Sequence, residues 1–392
     1  MSYDTILRGG RVLDPIQGRE TLADVGISGS TIAAIAPRLA ASPTTTVHDV
    51  NGAMVVPGLV DFHAHVFEGV CQIGLTPDRV GVQTGVTTVV DTGSSGAITF
   101  GGFRRWLMEP ATTRVLCFLN MGVTGIIRTV LGEMSEEGCY DPELTAKVLN
   151  ENRDRIVGIK VRATARNLGR VGLEGLRRAK RLARDLGVPV LVHIGEGRDF
   201  TGMPSFTAGE VLDLLDAGDI LTHPFTARMG GVLQADGTIT PALWAAVKRG
   251  VHFDVGHGKN NFSCRVYQIL TDLGFREFLI GTDVNTGCVH GPVFDMATTM
   301  TKFLALGLAP GDIVRRVTTL PAKALGREKD LGCVQVGGEA DLTVLDLDAV
   351  EKVLQDSEGE AIPVRQEFRP RLVVRAGRVL SVAPGGVQGE RA

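Results

Sequence analysis

Six residues of this 392-residue chain, of types that together could hold metal ions, each sit at the end of a short apolar run. They are His63 and His65 in "VVPGLVDFHAHV", Lys160 in "RIVGIK", His193 in "VPVLVH", His223 in "DILTH" and Asp283 in "FLIGTD". Side chains alternate along a strand, so two histidines one residue apart share a face. Imidazole and carboxylate groups suit Zn²⁺ and related divalent ions, which polarise a carbonyl and lower the pKa of a bound water to about 7. Lys160 is the odd member, because a buried ammonium beside metal cations is repelled and must lose its proton or change its chemistry. Addition of CO₂ to its amine gives a carbamate, an anion whose two oxygens can bridge two metal ions about 3.5–4 Å apart.

The spacing says which elements must hold these residues. Lys160 follows His65 by 95 residues, His193 follows Lys160 by 33, His223 follows His193 by 30, and Asp283 follows His223 by 60. A strand–helix unit takes about 30 residues, so the steps read as three units, one, one and two. Between residues 55 and 324, eight β-branched apolar runs alternate with helical stretches such as "LEGLRRAKRLARDLG", the pattern of an α/β fold of (β/α)8 TIM-barrel type. The six residues then come from strands one, four, five, six and eight, all at one end of one barrel. The basic face of the quoted helix reads as a solvated face. Residues 1–54 and 325–392 alternate apolar and polar residues and break at Gly or Pro, which predicts a small β-sandwich domain assembled from both ends of the chain. The terminal "APGGVQGERA" reads as a frayed tail.

Composition removes other classes of function. A formal net charge of −3 gives no electrostatic reason to expect nucleic acid or an anionic membrane as partner. The first residues lack a basic segment followed by an apolar one, no apolar run is long enough to span a bilayer, and six scattered cysteines form no C-x-x-C pair. These features predict a cytoplasmic protein with reduced thiols and a small-molecule substrate.

The motifs "PGLVDFHAHV", "VHIGE", "LTHPF" and "IGTDV", with Lys160 and the terminal "DTILRGGRVLDP" and "GGEADLTVLD", resemble the amidohydrolase superfamily, specifically its binuclear dihydroorotase and deacetylase-like branch. The resemblance covers nearly the whole chain. It implies two divalent ions, zinc the leading choice. One ion takes His63, His65, the carboxylated Lys160 and Asp283; the other takes the same lysine, His193 and His223. It further implies hydrolysis by a water activated between the ions, with Asp283 as both ligand and general base and acid. Dihydroorotases of the family carry an arginine two residues past the second histidine, where this chain has Phe67. Mononuclear deaminases of the superfamily lack the strand-four lysine and use a glutamate after the strand-five histidine; Lys160 opposes that reading, although Glu196 occupies such a position. Non-catalytic scaffold relatives lack the ligands, and here the set is complete. The expectation is a deacetylase-like hydrolase acting on an amide or ester of a small, anionic acylated carboxylic acid, with a cyclic amide hydrolase as the alternative. A homo-oligomer is compatible with the resemblance.

Three further residues are candidate substrate contacts. Arg162, two residues after Lys160, shares the inward face and could pair with a carboxylate. His257 ends strand seven in "DVGHG", and His290 lies in the loop "TGCVHGPVF" after Asp283. His48 and His252 read as structural.

Overall fold

A computed structural model describes residues 2–16, 18–196 and 206–382; the tail "APGGVQGERA" lies outside them. Seven parallel strands, each beside the next in sequence, form the barrel wall: Leu59–Ala64, Val86–Gly96, Arg114–Asn120, Ile156–Arg162, Val190–His193, Ile220–Thr222 and His252–Asp254. The expected eighth strand is present as a less regular segment. Leu279 bridges to Asp254 and Val284 bridges to Ala64. The Asp283 amide donates to the His63 carbonyl at 2.6 Å, and the His65 amide to the Val284 carbonyl at 3.1 Å, which closes the ring.

Val60, Phe62, Val90, Leu116, Phe118, Leu191, Ile220 and Leu279, drawn from strands all round the ring, form one buried cluster that fills the barrel floor. A larger cluster joins the outer strand faces to the surrounding helices. The helix Leu173–Leu186 shows how the sequence dictates this. Leu176, Ala179 and Ala183 recur at helical spacing and are buried, Gly187 caps the end at φ 66°, and the arginines face outward, where Arg181 pairs with Glu174 at 2.7 Å. No described helix is long and apolar enough to cross a membrane.

Both ends of the chain meet in a second, eight-stranded mixed sheet with its own core of Val25, Ile27, Val55, Leu342 and Val374. The run "VVPGLVDFHAHV" divides at Gly58. Met54–Pro57 pairs antiparallel with Leu342–Gln355 and belongs to this sheet, and the barrel begins at Leu59. Glycine is required at the junction, because a Cβ there would lie 2.2 Å from Thr87 Oγ1.

The hairpin Leu342–Gln355 and Ala361–Arg375 is far longer than its sheet requires, and its far end packs on the barrel through Ile362, Val364 and Phe368. At its tip, Ser357 Oγ donates to the Gly258 carbonyl at 3.1 Å, and Asp356 Oδ2 accepts from the Cys264 amide at 2.9 Å. The loop after the seventh barrel strand is thus held from outside the barrel.

Candidate metal centre

The strand ends carry five of the six expected side chains, His63, His65, Lys160, His193 and Asp283, to one cavity of about 680 Å³ that Arg162 and Glu196 also line; His223 is not among the described lining residues. Simple alternation does not account for the first pair. Val60 and Phe62 belong to the barrel floor, and pairing with the second strand shifts register between Asp61 and Ala64. That irregularity lets His63 and His65 rise together into the cavity above. Ligand atoms of His63, His65 and Asp283 lie within 4.8 Å of one another, close enough to hold an ion.

His193 Nδ1 and His223 Nε2 approach to 2.8 Å beside them. Four described non-glycine residues have positive φ, and two of these are His223 at 71° and Asp283 at 51°. Such backbone costs about 1–3 kcal/mol, a strain found where a functional side chain must be turned to a fixed direction.

The imidazoles are aimed by partners behind them. His63 Nδ1 meets Asp254 Oδ2 at 2.7 Å, and Thr222 Oγ1 donates to that same oxygen at 2.7 Å. His223 Nδ1 donates to the Gly256 carbonyl at 2.8 Å, and His65 Nδ1 bonds Ser94 Oγ at 2.9 Å. A carbonyl can only accept, so His223 carries its proton on Nδ1 and offers a lone pair at Nε2; Asp254 imposes the same tautomer on His63. Burial lowers His63, pulls His223 down to about 3, and together with the neighbour His223 holds His193 well below the usual range. Asp283 runs the other way. Burial alone would raise its carboxyl, but His63, His65 and His223 hold it well below the usual carboxylate range.

Lys160 tests whether metal ions fit. Its Nζ is buried and finds no hydrogen-bond partner among the described residues. Burial pulls its amine down to about 7. Room for it is built into strand two, where a Cβ on Gly93 would come within 2.6 Å of Lys160 Cγ. A buried nitrogen with no partner is costly unless something absent supplies one. A neutral amine next to oriented imidazole lone pairs and a carboxylate fits a carbamate and divalent ions.

The three expected substrate contacts fare differently. Arg162 reaches the cavity, but Glu133 takes its guanidinium: Nε donates to Oε2 at 3.0 Å and Nη2 to Oε1, while Asn167 Oδ1 accepts from Nη2 at 3.2 Å. It is first a structural ion pair. His257 is fully buried and does not line the cavity. Its Nδ1 donates to the Gly258 carbonyl at 2.9 Å, and its Nε2 accepts from Lys302 Nζ at 2.8 Å, so neither nitrogen is left for a ligand. His290 is exposed and also outside the lining. Neither ring is brought to the cavity in this structure: a strand-end or loop position does not fix where a ring points. The sequence reading missed Asp254, Ser94, Glu133 and Lys302. Only Asp254, at the end of "HFD", carried a signal, being a polar residue at a strand end.

Residues 54–380 match the family model described as "Amidohydrolase family". A deacetylase of Agrobacterium fabrum is 32% identical over 366 residues, covering 93% of this chain and 88% of that protein. A solved structure described as a dihydroorotase superposes with a TM-score of 0.88 at 31% identity, covering 96% of this chain and 98% of that one. Another, described as an adenine deaminase, gives the same TM-score and identity over 97% and 100%. With a barrel, a sheet built from both chain ends and a histidine–aspartate group able to hold an ion, the chain belongs to the amidohydrolase family of metal-dependent hydrolases.

Proposed function

We propose that the protein is a deacetylase-like hydrolase that cleaves the amide or ester of a small acylated carboxylic acid. Two divalent ions, zinc the first choice, would be held by His63, His65, His193, His223, Asp283 and a carbamate on Lys160. The carbamate forms when the neutral Lys160 amine adds to CO₂, making a C–N bond and releasing one proton. When bound, such ions polarise an acyl oxygen and lower the pKa of water toward 7.

Asp283 is the chain's own acid and base. It accepts the proton of the attacking water and delivers it to the leaving nitrogen or oxygen. Asn261 Nδ2 lies 3.4 Å from Asp283 Oδ2 and helps to orient it. One observation carries the reading: three imidazoles, an unpartnered buried lysine and a carboxylate converge on one cavity, with His223 against His193 behind it.

The choice among relatives rests on two residues. Phe67 is buried against Phe103, with ring centroids 4.7 Å apart, where dihydroorotases carry an arginine. Glu196 Oε2 accepts from the Ala165 amide at 2.6 Å, which ties down the carboxylate that a deaminase would use. Besides Lys160, the described lining carries four lysine and arginine side chains against two carboxylates, which suits an anionic substrate. All six cysteines are free, in keeping with the cytoplasm, where we place the enzyme.

The test is hydrolysis of a panel of N-acetyl and O-acetyl amino and hydroxy acids of both hands, by zinc-loaded protein with bicarbonate. Turnover that disappears in Lys160→Ala and Asp283→Asn establishes the reading. Silence across the panel, in protein holding two metal ions per chain, overturns it and points to cyclic amides.

A further inference from the structure

We infer that Lys259 and Arg228, rather than Arg162, form the edge of the cavity that reads the substrate carboxylate. This deepens the proposed reading of the same cavity and rests on it. Arg162 is the obvious candidate by position, but its guanidinium is already bound by both oxygens of buried Glu133. A second carboxylate brought there would face the first, and like charges at close range repel.

Lys259 differs in each respect. It lines the cavity from the loop after strand seven, is exposed, and makes no hydrogen bond or ion pair among the described residues. The loop that carries it is pinned before and after Lys259: Lys302 holds His257, Ser357 holds the Gly258 carbonyl, and Asp356 holds the Cys264 amide. Its backbone is therefore fixed while its ammonium stays available.

Arg228 comes from the loop after strand six. Its Nε donates to the Asn260 carbonyl at 2.9 Å, so the guanidinium is anchored beside the residue that follows Lys259. Among the described residues its two terminal nitrogens have no partner, and they are the pair that grips a carboxylate in a fork. The carboxylates among the described lining residues are Asp283, within the metal centre, and Glu196, whose Oε2 is held by the Ala165 amide. Nothing described therefore neutralises Lys259 and Arg228. A compact point charge and a planar fork, linked through Asn260, make a site for one carboxylate at the mouth, with the acyl bond reaching inward to Asp283.

The test compares N-acetylated amino acids with the matching carboxamides, which keep the shape and lose the charge. Binding is measured by calorimetry, and kcat/KM by release of acetate, for the metal-loaded wild type, Lys259→Met, Arg228→Met and Lys259→Arg. The wild type should favour the acid on the order of ten- to a hundredfold. Each Met variant should lose most of that preference, the acid falling far more than the carboxamide, and Lys259→Arg should restore it. A wild type that binds acid and carboxamide equally, or Met variants that weaken both alike, overturns the inference. Failure of the hydrolase reading looks different: acids bind through the two cations, yet neither member of any pair is cleaved.

Discussion

Asp254 does not line the cavity, yet its carboxylate decides which nitrogen of His63 faces the metal centre. Asp254→Asn keeps the shape and removes the charge, and metal affinity should fall about 10- to 100-fold, read by competition with a chromogenic chelator. Unchanged affinity would make the contact incidental. Lys302 carries a second prediction, about pH. Lysine ordinarily titrates at 10.5, and burial pulls Lys302 down to about 7. Between those values the unfolded chain holds the proton and the folded one does not, so stability contributed at this site rises with pH across the window and its penalty is complete below 7. Denaturation of wild type and Lys302→Met at pH 7, 8.5 and 10 should show the difference moving toward wild type by about 1.4 kcal/mol per unit at most; a constant difference would reject this. The convergence of His63, His65, Lys160, His193 and Asp283 on one cavity was legible in the sequence because strand ends repeat at the period of the fold. Asp254, Ser94, Glu133 and Lys302 were not, because their roles depend on pairings such as Lys302 with His257, set by packing between elements distant along the chain.

Among the elements, the loop after barrel strand seven is closely held. Gly258 sits at φ 53°, and a Cβ there would lie 2.2 Å from Asp283 Oδ2. Gly258→Ala should lower kcat at least about tenfold by displacing Asp283 while circular dichroism stays unchanged; full activity would show that the loop yields freely. The hairpin tip steadies the loop from the other side. Asp356→Ala leaves the Cys264 amide without its acceptor, costing about 1–3 kcal/mol locally, and should speed hydrogen exchange over residues 257–264. Element positions were legible where periodicity was strong. The break at Gly58 was not, because "VVPGLV" is apolar throughout and only the partner strand Leu342–Gln355 shows that its first half belongs elsewhere. The irregular eighth strand was visible by its apolar run, although only bridges and a few amide bonds hold it.

At the scale of the molecule, ions gripped by strands one, four, five, six and eight would tie the barrel circumference together. Each ion supplied at 100 times its dissociation constant adds about 2.7 kcal/mol to stability. Chelation should therefore lower Tm, and zinc with bicarbonate should restore it; a Tm indifferent to both would argue that the centre does not hold metal. The overall architecture was legible because alternating runs in the middle and half-buried strands at both ends admit few arrangements. One feature of that architecture also sets the order of events on the ribosome. The strands Thr5–Asp14 and Met54–Pro57 emerge early but must wait for Leu342–Gln355 to complete their sheet, and the loop bearing Lys259 waits for Ser357. A nascent chain halted after the barrel would carry every candidate metal ligand and still lack the hairpin contacts that hold the loop of Lys259.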